Sequence, residues 1–172
     1  MAKKLELPAK DWTNIECGDE VLLSGTLYVG RDQVHKRLYD ALLKGEEAPF
    51  DFQGNAIYYM GPSPAPEGKV IGACGPTTSA RMDPFSPYLL SKGLKIMVGK
   101  GPRSQAVLDA VKEHGGLYLQ AYGGCGALYS SCVKSSEMVA FPELGPEALI
   151  KLTVVDFPCF CLIDSRGNLY QR

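Results

Sequence analysis

No apolar run in this 172-residue chain approaches the roughly 20 consecutive apolar residues that a membrane-spanning helix needs. A charge excess of one sign is missing as well, because 18 basic and 19 acidic side chains give a formal net charge of −1. Nucleic-acid-binding domains usually carry a strong basic excess. The sequence therefore predicts a protein that neither crosses a membrane nor binds nucleic acid.

A secretory signal and paired-cysteine motifs are not expected either. The first residues include lysines, but no apolar segment follows them, which predicts a cytoplasmic protein whose thiols stay reduced. The even number of cysteines would permit disulfides, but none has CxxC spacing, and Cys159 and Cys161 fall on one face of a predicted strand. We therefore expect small, mostly buried free thiols and no metal ligands among Cys17, Cys74, Cys125, Cys132, Cys159 and Cys161.

The chain does contain clear strand and helix patterns. β-branched and apolar residues predict a strand from about Glu20 to Val29, and apolar residues at helical spacing within 31–47 predict a helix that Gly45 ends. A second helix follows Ser104 and ends before Gly115.

Shorter patterns predict the rest of the fold. Strands are predicted within "NAIYYMG", "KVIGACG", "LKIMVGKG" and "LYLQAYGG", a short helix in "CGALYSSCV", and a proline-rich loop in "GPSPAPEG". Three further strands are predicted in "SEMVAF", "LIKLTVVDF" and "CFCLIDSRGNLY". We therefore predict a mixed α/β fold in a single domain, residues 1–172, with more strands than helices.

One segment, "GACGPTTSARMDPF" from Gly72 to Phe85, carries more polar chemistry than a turn requires. Glycine and proline shape turns, but the adjacent Thr77 and Thr78 followed by Arg81 are not needed for one. A helix N-terminus offers unpaired N–H groups and the positive end of the helix dipole. We therefore interpret this segment as an anion-binding corner at the start of a helix.

Two more strand ends share this arrangement, in "YVGRDQVH" and "IMVGKGPRSQ". Each has a glycine and then a cation after an apolar strand, Arg31 in the first and Lys100 in the second. Singly, such residues are typical of solvated caps and loops, and His35 one turn after Arg31 is typical of a structural histidine. Together, three cation-bearing corners favour one carboxylate or phosphate site. None matches the P-loop or the GxGxxG dinucleotide motif.

These motifs resemble a known family. The segments "SGTLYVGRDQVHKRL", "IYYMGPSPAPEG", "GPTTSARMD", "VGKGPRSQAVLDAVKEHGGLYL", "FPELGPEAL" and "VVDFPCFCLIDSRGN" occur in this order, from about Leu5 to Tyr170. In this order they resemble the β subunit of the two-subunit iron-sulfur hydro-lyases, the class I fumarate hydratase and L(+)-tartrate dehydratase family. Single-chain class I fumarases carry a similar region as their C-terminal domain. The resemblance implies a swivelling β/β/α domain that docks on a separate α subunit, in an α2β2 assembly.

The resemblance also implies a cofactor that this chain does not hold. In the family, the α subunit binds a four-iron, four-sulfur cluster through three cysteines, and its open iron acts as a Lewis acid toward the substrate. Cys125 of this chain lies in a glycine-rich loop near the implied site. The resemblance makes it a cysteine that does not ligate the cluster.

The matching motif positions imply a set of site residues that are cations or hydroxyls. Thr77 would face the reacting carbon as the candidate for proton transfer. His35 would support either Arg31 or the site as a whole. The residues implied to bind the small dicarboxylate substrate are Arg31, Thr78, Arg81 and Lys100.

The role of Thr77 and the identity of the substrate each have alternatives. A threonine hydroxyl is a weak base, so Thr77 would need the help of a cation or relay to transfer the proton. Alternatively, Thr77 only orients the substrate, and a carboxylate of the α subunit transfers the proton. The expected reaction is reversible hydration of fumarate to L-malate, a step of central metabolism. The alternatives are dehydration of L(+)-tartrate to oxaloacetate, and a non-catalytic carboxylate-binding domain.

Overall fold

The computed structural model describes residues 2–61, 65–122 and 125–171. Residues 62–64 of the predicted proline-rich loop and 123–124 of the glycine-rich loop lie outside the described residues. The strands are β1 (Lys3–Leu7), β2 (Glu20–Val29), β3 (Ala56–Tyr58), β4 (Ile96–Gly99), β5 (Leu117–Gln120), β6 (Val133–Ala140) and β7 (Leu149–Ile163). The helices are α1 (Asp32–Leu43), α2 (Ser86–Ser91), α3 (Gln105–His114) and α4 (Gly126–Cys132), with 3₁₀ helices at Ser79–Met82 and Pro142–Glu147.

The strands form a sheet that closes on itself. Strands β2, β3, β4 and β5 are parallel neighbours in that order. Strand β7 runs antiparallel to β5 and also pairs with β2 along most of its length. Hydrogen bonds therefore run around a closed circuit, β2–β3–β4–β5–β7, which β1 extends beside β2 and β6 extends beside β7.

Alternation along the strands divides the apolar side chains between two cores. One face of each strand points into the circuit, where Leu23, Val98 and Phe157 are buried. The other faces of β3, β4 and β5 lie under α1, α2 and α3, where Val34 and Leu90 are buried. Because these short parallel strands are covered on both faces, they read as continuous apolar runs in the sequence.

The mixed α/β class predicted from the sequence is confirmed. The strand Glu20–Val29 has the predicted bounds, and α1 ends just before Gly45, whose φ is 80°. At the start of α3, the Ser104 hydroxyl accepts a hydrogen bond from the N–H of Val107 at 3.3 Å. None of the helices in the described residues has the length and apolar character that crossing a membrane requires.

Two predictions of local structure are wrong and one strand was not predicted, and each of these cases involves long-range pairing. The segment "KVIGACG" forms no strand, because both edges of neighbouring β3 are already paired with β2 and β4. Its Cys74 instead donates its N–H to the carbonyl of Gly126 at 3.0 Å. The two strands predicted in "LIKLTVVDF" and "CFCLIDSRGNLY" are one strand, β7, with Asp156 at a φ of 51°. Strand β1 was not predicted at all, since its pairing with β2 is what creates it.

Candidate functional site

The predicted site residues meet at one edge of the sheet. Strands β2, β3 and β4 are parallel, so their carboxyl ends, at Val29, Tyr58 and Gly99, lie side by side. Arg31 follows the end of β2, and Lys100 follows β4 directly. The carboxyl ends of parallel strands are the usual place for ligands in open α/β sheets. In this chain the sheet is closed, and the predicted site residues still lie at the carboxyl ends of its parallel strands.

The corner from Thr77 to Ser79 is laid across the ends of β3 and β4. The N–H of Thr77 donates to the carbonyl of Tyr59 at 2.7 Å, and the N–H of Ser79 donates to the carbonyl of Lys100 at 2.9 Å. Thr78 and Lys100 form a parallel β-bridge. The backbone of the corner is therefore held as an extra sheet segment, with the Thr77 side chain half-buried and Thr78 exposed.

Glycine at position 99 permits this close approach. A Cβ atom at Gly99 would overlap the Ser79 hydroxyl and lie 2.6 Å from the ring of Tyr59. Ser79 is itself fully buried, and its hydroxyl lies 2.7 Å from the hydroxyl of Tyr118. The glycine after the apolar run of β4 therefore has the role expected from the sequence, which is to let another backbone segment come close.

The corner differs from the helix start predicted from the sequence. It leads into a 3₁₀ helix of only four residues, Ser79–Met82, and its N-cap residue Thr78 makes no side-chain capping hydrogen bond. The backbone N–H groups of Thr77 and Ser79 already donate to carbonyl groups of the sheet. These two N–H groups are therefore not available to bind an anion.

The two predicted arginines meet through an acidic residue. Arg31 is the N-cap residue of α1, and Asp32 is the first residue of that helix. One Asp32 carboxylate oxygen accepts a hydrogen bond from Nη2 of Arg81 at 2.9 Å. The other carboxylate oxygen lies 3.7 Å from Nε of Arg31. Arg81, whose side chain is 50% exposed, is thus held beside Arg31 although 50 positions separate them in the sequence.

A second acidic residue lies on the other side of Arg31. The carboxylate of Glu147, at the end of the second 3₁₀ helix, is 3.4 Å from Nε of Arg31. That nitrogen is buried and has no hydrogen-bond partner among the described residues, and the same is true of Oδ1 of Asp32. Gly61 packs against the guanidinium, since a Cβ there would lie 2.9 Å from Nη1.

His35 is buried behind Arg31. Its Nδ1 lies 2.7 Å from the carbonyl oxygen of Arg31, and since a carbonyl only accepts, Nδ1 carries the proton. The ring packs edge-on against Tyr59 at 5.1 Å. Burial lowers the pKa of His35 to about 4, although its hydrogen bond to Arg31 acts in the opposite direction. This neutral ring supports the backbone at Arg31.

The lowered pKa of His35 predicts a pH-dependent stability. Between pH 6.5 and about 4 the unfolded chain binds a proton at this residue that the folded chain does not, so stability falls as the pH falls. From pH 7.5 to 5.0 we expect this residue to remove about 2 kcal/mol of the free energy of unfolding. Urea unfolding of wild type and His35→Asn at both pH values measures it, because asparagine keeps a donor but does not titrate.

The matched control for this prediction is His114→Asn, which changes a partly exposed histidine at the end of α3. We expect this variant to keep the pH dependence of wild type. An equal pH dependence in wild type and His35→Asn would show that His35 does not titrate with a lowered pKa in the folded chain.

One buried arginine next to the predicted site residues was not singled out from the sequence. The side chain of Arg103 is fully buried, and its Nε lies 2.7 Å from a carboxylate oxygen of Asp83. It also donates to the hydroxyl of Ser86 at 2.8 Å, and its guanidinium lies over the rings of Tyr59 and Tyr118. This network fastens the end of the 3₁₀ helix Ser79–Met82 to the loop after Lys100. The sequence did offer a signal for Arg103, because this arginine directly precedes the N-cap Ser104 and lies with Lys100 in the segment "IMVGKGPRSQ".

The family model described as Fumarase C-terminus matches residues 2–172. The chain belongs to the fumarase C-terminus family. The match extends over every element described above, from β1 to β7.

Two fumarate hydratases share this fumarase C-terminus region. The class I aerobic fumarate hydratase of Escherichia coli K12 is 47% identical over 148 residues, which are 85% of this chain and 27% of that protein. Fumarate hydratase 2 of Leishmania major is 43% identical, over 90% of this chain and 28% of its own length. This chain thus spans little more than a quarter of these fumarate hydratases.

A third fumarase C-terminus relative has a similar length. A Methanocaldococcus jannaschii protein provisionally named L(+)-tartrate dehydratase subunit beta is 37% identical over 174 residues. That alignment covers 97% of this chain and 89% of the relative.

The cysteines of this fumarase C-terminus chain do not form a cluster site. All six are free thiols, and Cys74, Cys159 and Cys161 are buried. Burial raises the pKa of Cys74 to about 11, which disfavours the thiolate that iron requires. Within the described part of the chain, no group of three histidine, cysteine or acidic residues is arranged to hold a metal ion. These residues do not fit an iron-sulfur cluster.

Proposed function

We propose that this chain is the β subunit of an iron-sulfur hydro-lyase that reversibly hydrates fumarate to L-malate. In this proposal it acts as one domain, residues 1–172, and supplies the groups that bind the substrate carboxylates. The observation that carries the proposal is the meeting of two arginines, a lysine and two threonines at one edge of the sheet. A dicarboxylate needs two separated cationic contacts, and planar guanidinium groups suit carboxylates.

Each residue has a proposed task at its observed position. Arg31 and Arg81, joined by Asp32, bind one carboxylate end of the substrate, and Lys100, on the far side of the Thr78 bridge, supplies charge for the other. Thr78 is exposed next to Lys100 and contributes a hydroxyl. His35 holds the backbone of Arg31 from behind.

Thr77 is proposed to act at the reacting carbon. Among the described residues no side chain hydrogen-bonds to its hydroxyl, so this part of the chain does not place a base against it. If Thr77 transfers the proton, the group that activates it comes from the substrate, the cofactor or a partner chain. If it only orients the substrate, a carboxylate of the partner transfers the proton instead.

We propose a partner α subunit that carries the iron-sulfur cluster and closes the other side of the site. Support comes from the exposure of Thr78 and Arg81 and from cysteines that do not fit a cluster in this chain. The similarity to a relative that is named a subunit beta is in keeping with this division between two chains. An α2β2 assembly in the cytoplasm completes the proposal, with the cluster supplying Lewis-acid chemistry when bound.

L(+)-tartrate dehydratase is the second candidate. The relative that matches this chain over most of both lengths carries that name. Tartrate has one hydroxyl more than malate, and the cations that bind two carboxylates serve either acid. The class I fumarate hydratase of Escherichia coli K12 is 47% identical over its aligned residues, against 37% for the subunit beta relative, and this supports fumarate as the first candidate.

Anaerobic co-expression with the cognate α subunit tests the proposal. The assembled protein is assayed with fumarate, L-malate and L-tartrate, and this chain by itself serves as the control. We expect turnover of fumarate and L-malate by the complex and none by the chain alone. Turnover of tartrate only would support the second candidate, and binding of these acids without turnover would support a carboxylate-binding domain.

Replacing Arg81 by lysine in the complex is expected to raise the KM for L-malate about ten- to hundredfold. An ammonium group does not replace the planar two-pronged contact, and losing a charge-assisted hydrogen bond costs about 1.5–3 kcal/mol. Each 1.36 kcal/mol is a factor of ten. Arg37→Lys is the control, because Arg37 pairs with Glu143 on the surface of α1. Equal KM values for Arg81→Lys and wild type would remove Arg81 from the substrate site.

A further inference from the structure

Asp32 occupies a central position among the charged residues of the site. Its Oδ2 accepts from Arg81 at 2.9 Å, and its Oδ1 faces Nε of Arg31 at 3.7 Å. Both atoms of the longer contact are buried and have no hydrogen-bond partner among the described residues. A shift of less than about 1 Å would bring them to hydrogen-bonding distance.

The contact with Asp32 leaves Arg81 free to bind a ligand. A guanidinium has five N–H donors, and Asp32 engages one at Nη2. The remaining donors of this half-exposed side chain stay available for a carboxylate. Among the described residues, Asp32 is the ion-pair partner that directs Arg81 toward Arg31. Without it, the two like charges would repel each other and the long Arg81 side chain would sample other rotamers.

We propose that Asp32 is a positioning residue that joins Arg31 and Arg81 into one fork, which binds one carboxylate end of the dicarboxylate substrate. This role rests on the proposed function of the site. It acts through the two arginines, since the Asp32 carboxylate would repel the carboxylates of the substrate. The affinity gained from two oriented guanidinium groups exceeds the repulsion from one nearby negative charge.

When Asp32 is removed, the positioning role predicts a change in KM opposite in sign to the change that simple electrostatics predicts. If Asp32 acted only through its charge, its removal would strengthen binding of a dianionic substrate and lower KM. If Asp32 positions the arginines, Asp32→Ala raises KM about tenfold and leaves kcat nearly unchanged. Asp32→Asn keeps an oxygen that accepts from Arg81, so we expect it to recover part of the loss.

Glu147→Gln is the matched control for charge. Glu147 also lies within 4 Å of Arg31, but it makes no hydrogen bond to Nε of that arginine. Removing its charge should leave KM unchanged or lower it. Steady-state kinetics of the assembled complex with L-malate, and urea unfolding of each chain, provide the measurements.

The outcomes separate this proposal from the proposed function. An active wild-type complex in which Asp32→Ala keeps or lowers the wild-type KM overturns the positioning role only. A rise in KM for Glu147→Gln equal to that for Asp32→Ala also overturns it, because an acidic residue that does not join the two arginines would then have the same effect. A wild-type complex that turns over none of the dicarboxylates overturns the proposed function and, with it, the substrate on which this role depends.

Discussion

Replacing Thr77 by alanine in the assembled enzyme is expected to lower kcat about a hundredfold or more, with little change in KM. Proton transfer by a positioned side chain typically contributes about 10²–10⁴ in rate. The contact is proposed to matter at proton transfer, so its loss affects kcat and kcat/KM together. The backbone hydrogen bond from Thr77 to Tyr59 does not involve the side chain, so alanine leaves the corner in place.

Thr77→Ser is the matched variant for this experiment. It keeps the hydroxyl and removes only a methyl group, so we expect most of the rate to be recovered. Iron content is measured in every preparation, so that cluster loss is not mistaken for a catalytic effect. A loss of less than tenfold in kcat for Thr77→Ala, or a loss expressed only in KM, would show that Thr77 orients the substrate and that another group moves the proton.

Replacing Asp83 by alanine is expected to destabilise the folded chain by about 3–5 kcal/mol. Arg103 would then keep a fully buried charge without its partner at 2.7 Å, and breaking a buried ion pair from one side typically costs this much. The carboxylate also accepts from the N–H of Ser104 at 2.8 Å, next to the start of α3. Both contacts join the end of the 3₁₀ helix Ser79–Met82 to the loop after Lys100.

Glu143→Ala is the control, because Glu143 pairs with Arg37 at 2.6 Å but the two side chains are 55% and 42% exposed. An exposed pair of this kind contributes about 0–1 kcal/mol. Urea unfolding of the two variants therefore shows whether burial of the ion pair, or only its short distance, causes the loss of unfolding free energy. Similar losses of unfolding free energy in both variants would contradict a special role for the buried pair.

The sequence was most informative where structure depends on neighbours along the chain. Helix α3 has the serine cap and left-handed glycine that its sequence predicted, because these devices act within one turn. Glycines after apolar strands marked the places where Arg31 and Lys100 leave the sheet. The family and the chemical types of the site residues could be inferred from the same short segments.

Predictions failed where pairing joins distant segments. "KVIGACG" has a strand-like composition, but β4 rather than this segment pairs with β3. The closure of the sheet depends on β7, whose partners β2 and β5 are far from it in the sequence. Composition indicates that a segment suits a sheet, and only the packed structure selects its partner.

By itself, the sequence determined the α/β class, the helices with local caps, and the cations and hydroxyls available for binding. Only the tertiary structure decided that Arg81 pairs with Asp32 across 49 positions, and that Arg103 is buried against Asp83 across 20. The reason is that an ion pair depends on distance and burial in three dimensions, which one-dimensional spacing does not contain. For the same reason the corner at Thr77, expected to bind anions through a helix N-terminus, has its backbone N–H group bonded to the sheet.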